Sequence, residues 1–140
     1  MAINITPFLA DTSYLALVVR LFLGISLVMH GYPKVKGGWR QGSQWMKSMG
    51  VPATTAVFAT IIEFFGGLLL VIGLIVPIVA ALAAIQFALI IGMKASKMKA
   101  PYISMEAGKP SYEIDAFYLV LAVVLLVLGA GVLSIDSVLF

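Results

Sequence analysis

Apolar residues fill four long stretches of this chain, and two isolated charges interrupt them. Thr12–Gly31 contains Arg20 as its one residue certain to be charged, with His30 at the far end. From Val51 to Met93 the only charge is Glu63. A membrane-crossing helix needs about 20 predominantly apolar residues, so the pattern predicts spans near 13–31, 54–74, 77–95 and 115–134. The run from Val51 to Met93 is about twice a spanning length, which makes the second and third spans a hairpin. Gly73 to Pro77 supplies its turn, and Pro77 suits a first helical turn, where no backbone N–H is needed. The fourth stretch has end signals of its own: Ser111 as N-cap, Glu113 and Asp115 in the first turn, and Gly129 and Gly131 near the far end. Between the first two spans, Trp39, Trp45, Met46 and Met49 alternate with basic residues, which predicts a short amphipathic helix over 39–49 lying in the interface. The expectation is an all-α integral membrane four-helix bundle with short loops, one domain over residues 1–140.

Composition agrees with this reading. The chain is 62% hydrophobic and 11% charged, against roughly 25% charged in soluble proteins, and its mean hydropathy is +1.12. Eight of its nine Lys and Arg residues lie in or at the edge of two loops: Lys34, Lys36, Arg40 and Lys47, then Lys94, Lys97, Lys99 and Lys109. Arg20 is the ninth. In a four-span chain these loops share one side, and the positive-inside rule places 32–53 and 96–114 in the cytoplasm, with both termini on the non-cytoplasmic side of the cell membrane. Their expected neighbours are anionic lipid headgroups, at about 1 kcal/mol per Lys or Arg. The net charge of +3 is thus a topology signal and gives no reason to expect nucleic acid. The absence of cysteine excludes disulfides, thiol redox chemistry, thiolate metal sites and iron–sulfur ligation. No basic n-region precedes the first span, and Asp11 stands where one would be, so the span is expected to remain in the mature protein.

An ion near a bilayer midplane costs roughly 2.5–3.5 kcal/mol on insertion scales, so such residues face protein and find partners. Arg20 is flanked at four-residue spacing by Ala16 and Gly24, and Glu63 by Ala59 and Gly67, with Gly66 adjacent. Both charges therefore lie on small-residue faces that let membrane helices approach closely. The third span repeats the theme in Ala80, Ala84, Ala88 and Gly92, and carries Gln86 near its midpoint as its one strongly polar side chain before Lys94 at the end. The estimated depths of Arg20 and Glu63 differ by roughly 5 Å, within reach of a guanidinium. The reading is a buried Arg20–Glu63 pair with Gln86 beside it, and with Asp136 as a rival partner if Arg20 snorkels outward. Such a pair is either a structural device fixing helix register, a proton-handling or polar-ligand site such as a quinone-headgroup pocket, or a contact to a neighbouring subunit. His30 reads as an interfacial side chain rather than a haem ligand, which would need a second ligand. The methionines read as packing and anchoring residues rather than a copper site. No metal site and no catalytic residue is read.

Several short motifs carry a resemblance. R-L-F-L-G spans Arg20–Gly24, H-G-Y-P-K spans His30–Lys34, M-G-V-P spans Met49–Pro52 and E-F-F-G-G spans Glu63–Gly67. Y-E-I-D follows at Tyr112–Asp115 and G-A-G-V-L-S-I-D at Gly129–Asp136. In this order, over nearly the whole chain, they resemble the DoxX family of small four-span membrane proteins. The resemblance implies a four-helix membrane bundle linked to respiratory or quinone-coupled redox complexes, in which some relatives are subunits. The family's Arg, the Glu of its E-x-x-G-G and the Asp of its S-x-D fall on Arg20, Glu63 and Asp136. The functional expectation is an accessory subunit of a respiratory or quinone-linked oxidoreductase complex, not catalytic alone, with no covalent cofactor and quinone as the candidate ligand. The alternatives are a non-catalytic assembly subunit of another membrane complex, or a small transporter, for which no convincing internal repeat is found.

Overall fold

The structure, a computed structural model, describes residues 11–140, and the described residues form helices and no strand. Helix α1 (Thr12–Pro33) begins at Asp11, whose Oδ1 accepts the Ser13 N–H at 2.9 Å. That bond satisfies one of the free amides of the first turn and holds the Asp11 carboxyl below its usual range. Past Pro33 the helical path breaks within Lys34–Gly38, where Gly37 at φ 121° kinks the chain into α2 (Trp39–Ser48). Helix α3 (Thr54–Ile72) is α-helical except for a π-helical turn over Ile62–Gly66. Helices α4 (Val76–Ser96), α5 (Glu113–Leu128) and the short α6 (Asp136–Leu139) complete the order.

Three of these segments are long and apolar enough to cross a membrane: α1 with its continuation through Ser48, α3 and α4. The α5 helix has 16 residues, or about 24 Å of length against a hydrocarbon core of about 30 Å. The expected fourth span, 115–134, is therefore corrected at its far end. Gly129 (φ 73°) and Gly131 (φ 76°) stop the helix, and residues 129–135 turn back across the end of the bundle. Ser111 also fails as the N-cap. The cap position is Tyr112, with no side-chain hydrogen bond to the helix.

The long helices close into a ring in which α1 packs on α3 and α5, and α4 packs on α3 and α5. Leu23, Leu27, Leu70, Val76, Val79, Ala83, Phe87, Ala122 and Leu125 fill its centre. The α1–α3 seam is the tightest. A Cβ on Gly24 would stand 2.9 Å from the Gly67 carbonyl oxygen, and one on Gly67 would stand 2.8 Å from that of Gly24. Only residues without a side chain allow backbones this close. Gly66 faces α4, where a Cβ would come within 3.1 Å of Val79 Cγ1.

The small-residue stripe of α4 needs correction. Ala80 is buried and Ala84 is partly buried, but Ala88 and Gly92 are exposed. Positions four apart advance 40° too far per step at about 100° per residue, so the stripe drifts by about 120° between Ala80 and Gly92. The buried face follows Val76, Val79, Ala80, Ala83, Gln86 and Phe87 instead, the mixed three-and-four spacing of an amphipathic helix.

Candidate functional site

Arg20 and Glu63 belong to separate networks at opposite ends of the bundle. Arg20, 2% exposed, donates from Nη1 to the Ala130 carbonyl at 3.0 Å and from Nη2 to the Leu133 carbonyl at 2.7 Å. Its guanidinium lies against Gly73, at the α3–α4 turn, where no side chain would fit. Asp136 stands near enough to attract it electrostatically, but the Asp136 carboxylate is engaged elsewhere. Its Oδ1 accepts the Ile75 N–H at 2.6 Å and its Oδ2 the Val76 N–H at 2.8 Å, while its own N–H donates to the Gly73 carbonyl at 2.9 Å. Asp136 thus caps α4 from the far end of the chain. It also pins Ile75, a β-branched residue at φ 49°, a conformation that such residues rarely adopt.

Glu63, 3% exposed, sits in the π-helical turn of α3. The Lys34 ammonium lies 2.7 Å from its Oε1 and 2.6 Å from its Oε2, with hydrogen-bond geometry to Oε1 alone. Gln86 Nε2 donates to the same Oε1 at 2.9 Å. The buried Glu63 Oε2 and Gln86 Oε1 accept no hydrogen bond.

The expected Arg20–Glu63 pair is therefore corrected, for a geometric reason. Helical side chains lean toward their own N-terminus. On the antiparallel α1 and α3 this carries Arg20 toward the turn end and Glu63 toward the basic end of Lys34 and Lys94. The Gly73 that Arg20 touches lies ten residues from Glu63, about 15 Å along the helix axis.

At the basic end a cavity of about 420 Å³ opens with Glu63 among its walls. Thr60 adjoins Glu63, its hydroxyl already donating to the Ala56 carbonyl at 2.8 Å. From α1 come His30 and Lys34, from α2 Trp39, Trp45 and Met46, from α4 Phe87, Ile90 and Lys94, and from the start of α5 Ile114, Asp115 and Tyr118. The Lys94 ammonium donates to Asp115 Oδ2 at 2.6 Å and to the Ser111 carbonyl at 3.1 Å. His30 Nε2 and Tyr118 Oη share a hydrogen bond of 2.9 Å, their rings meeting edge to face. Two ammonium groups and two carboxylates therefore face a chamber walled by aromatic and aliphatic groups. Such a site can grip a flat polar ligand at its edges and pack its faces. The π-helical turn adds weight, since single-turn π-bulges recur at functional sites. Among the described residues no group of three His, Cys, Asp or Glu side chains could hold a metal ion.

Sequence reasoning located Glu63 and Gln86 but missed Lys34, Lys94, Asp115 and Tyr118 as members of one site. It read the lysines as topology charges and Asp115 as a helix-end charge. One signal was available for Lys94, because Gln86, Ile90 and Lys94 follow at four-residue spacing along α4.

The DoxX family profile matches residues 15–95. That stretch holds Arg20, Lys34, Glu63, Gln86 and Lys94, whereas Asp115, Tyr118 and Asp136 lie beyond it. A protein of Bacillus subtilis (strain 168) named "Putative oxidoreductase CatD" is 31% identical over 125 residues, covering 89% of this chain and 86% of that relative. No solved structure matches.

Proposed function

The chain belongs to the DoxX family of membrane proteins, and from that premise we propose that it is a small accessory subunit of a quinone-linked membrane oxidoreductase complex. The name of the Bacillus relative supports a link to oxidoreduction. The observation that carries the reading is Glu63, buried beside a cavity and held by Lys34 and Gln86.

The residues present fit a quinone head. Its ring carbonyls need donors, which Lys34, Lys94 and the His30–Tyr118 pair provide. The reduced form presents hydroxyls, for which Glu63 and Asp115 are acceptors. Phe87, Ile90, Trp39 and Trp45 offer apolar faces, and about 420 Å³ lies in the usual range for small-molecule sites, about 300–1,000 Å³. When bound, a quinone supplies two-electron, two-proton chemistry. The chain's own share is positional and protonic: Lys34 and Lys94 orient, and Glu63 Oε2 takes or releases the proton. With no cysteine in the chain, thiol redox chemistry is not available to it, and electrons come from the partner complex.

In this reading α5 completes a four-span bundle in the cell membrane, and both termini are non-cytoplasmic. The loops carrying the eight basic residues then lie in the cytoplasm among anionic headgroups. The cavity draws its protons from that side.

Gentle purification from the native membrane tests the proposal, with quinone extraction and proteomics on the same sample. Native protein should carry quinone and co-purify with larger redox subunits, and Glu63→Gln should lower bound quinone at least tenfold while keeping those partners. Native protein without quinone, or equal quinone in Glu63→Gln, would overturn the headgroup site. A complex that keeps its partners and full activity in Glu63→Gln would make the chain an assembly subunit.

A further inference from the structure

A second cavity, about 770 Å³, runs along the groove between α3 and α4. Phe58, Ile62, Ile85 and Leu89 form its sides. Its floor is Ala88 and Gly92, the residues that drift off the helix-packing face, and a Cβ on Gly92 would meet nothing within 4 Å. Over Leu82 to Lys97, the groove follows about 22 Å of helix, far longer than a single ring.

Two features tie this groove to the Glu63 cavity. Met46, Ala59 and Ile90 line both. Gln86, 8% exposed, donates to Glu63 in one direction and lines the groove in the other, and its buried Oε1 is left without a hydrogen-bond partner. The Glu63 cavity and the apolar slot therefore lie side by side, parted by shared walls and one bridging amide.

We propose that the α3–α4 groove holds the hydrocarbon tail of the molecule whose head occupies the Glu63 cavity, so that the ligand is a long-tailed, membrane-borne quinone and not a small water-soluble one. This rests on the headgroup reading above. The groove supplies what such a molecule requires, a lateral path from the bilayer to a buried polar end without passage through the basic loops. A tail leaving lipid for the groove exchanges one apolar surrounding for another, so its gain comes from packing and alignment rather than from escape from water. The test must therefore compare protein variants, in which partitioning into the bilayer cancels.

Binding of two probes to the full chain in nanodiscs provides that comparison: a dimethoxy-methyl-benzoquinone ring without a tail, and the same ring with a decyl tail. The variant is Gly92→Leu, which fills open space on an exposed helix face and is compatible with folding. Ala88→Leu is a second, independent filling of the floor. In native protein the decyl probe should bind more tightly, and in both variants the ratio of decyl to tail-less affinity should fall at least tenfold. Binding of the decyl probe alone, lost in the variants, would also support the groove. If both probes bind and the ratio does not change, the tail lies elsewhere and the Glu63 cavity stands without it. If neither probe binds native protein, the headgroup reading and the groove fall together. Should native protein be dimeric by native mass spectrometry and the variants monomeric, with the ratio unchanged, the groove is a helix–helix interface and the proposal is overturned.

Discussion

Replacing Arg20 and Glu63 together should cost about the sum of the two single replacements. In Arg20→Met, the Ala130 and Leu133 carbonyls lose bonds of 3.0 and 2.7 Å. A buried acceptor left unpaired costs about 1–3 kcal/mol. Leu133 is half exposed, so water can reach that end, and the expected loss is toward the low side, about 2–3 kcal/mol. Glu63→Gln keeps an acceptor for Gln86 and removes the charge facing Lys34, at about 1 kcal/mol. Charges in contact at about 4 Å would couple by about 4 kcal/mol at an effective dielectric of 20, whereas about 15 Å of separation leaves about 1 kcal/mol at most. The Lys34→Met/Glu63→Gln cycle should instead couple by about 1–2 kcal/mol, because 40% exposure of the Lys34 side chain lets water screen the pair. Reversible unfolding in mixed micelles, titrated with SDS and followed by tryptophan fluorescence, gives both cycles. Coupling of about 3 kcal/mol or more for Arg20/Glu63, with none for Lys34/Glu63, would refute the two-network assignment.

Gly67→Ala places a methyl 2.8 Å from the Gly24 carbonyl oxygen. It should destabilise by about 1–3 kcal/mol through forced separation of α1 and α3, and an unchanged melting midpoint in detergent would contradict that seam. Asp136→Ala should lower the same midpoint and speed hydrogen exchange at the Ile75 and Val76 amides, with Asp136→Asn intermediate; equal exchange in all three proteins would remove Asp136 from its capping role. The Asp11 carboxyl is held below its usual range by the Ser13 bonds, so its contribution to α1 is present above the unfolded pKa and is lost as pH falls through the folded value. Protection of the Ser13 amide, taken against its intrinsic exchange rate at each pH, should therefore fall on acidification through and below the ordinary aspartate range in native protein, and that acid step should be absent in Asp11→Asn.

The helical architecture was legible because a bilayer leaves the backbone few choices: each amide must be satisfied within the segment, so apolar length translates directly into helix. Glycine and proline between Gly73 and Pro77 likewise marked the α3–α4 turn. Side-chain partnership was less legible. Spacing and depth placed Arg20 and Glu63 within reach of each other, but on antiparallel helices the lean of their side chains separates them, and the partners of Arg20 are backbone carbonyls, which leave no signature in side-chain chemistry. Lys34 and Lys94 were hidden for another reason. A lysine at the edge of a span satisfies the topology rule whatever else it does, so its pairing with Glu63 or Asp115 adds nothing visible to the sequence. Gly129 and Gly131 marked the far end of the last long helix, but the return of residues 129–135 depends on contacts with Arg20 that only the assembled bundle makes.

The cap on α4 has a consequence for the order in which the molecule is made. Asp136 lies 61 residues beyond the Ile75 amide that it satisfies. At about 5–20 residues per second, roughly 3–12 s separate synthesis of the α3–α4 hairpin from arrival of the group that closes its turn. Through that interval Ile75 has no carboxylate to hold it in its left-handed conformation, and the turn-end amides must be served by water. The carbonyls of Ala130 and Leu133 that receive Arg20 come only a few residues earlier. The bundle is therefore latched last, by residues that follow all of its long helices. A chain cut after Gly129 would contain all the long helices yet leave α1 and α4 without their fastenings.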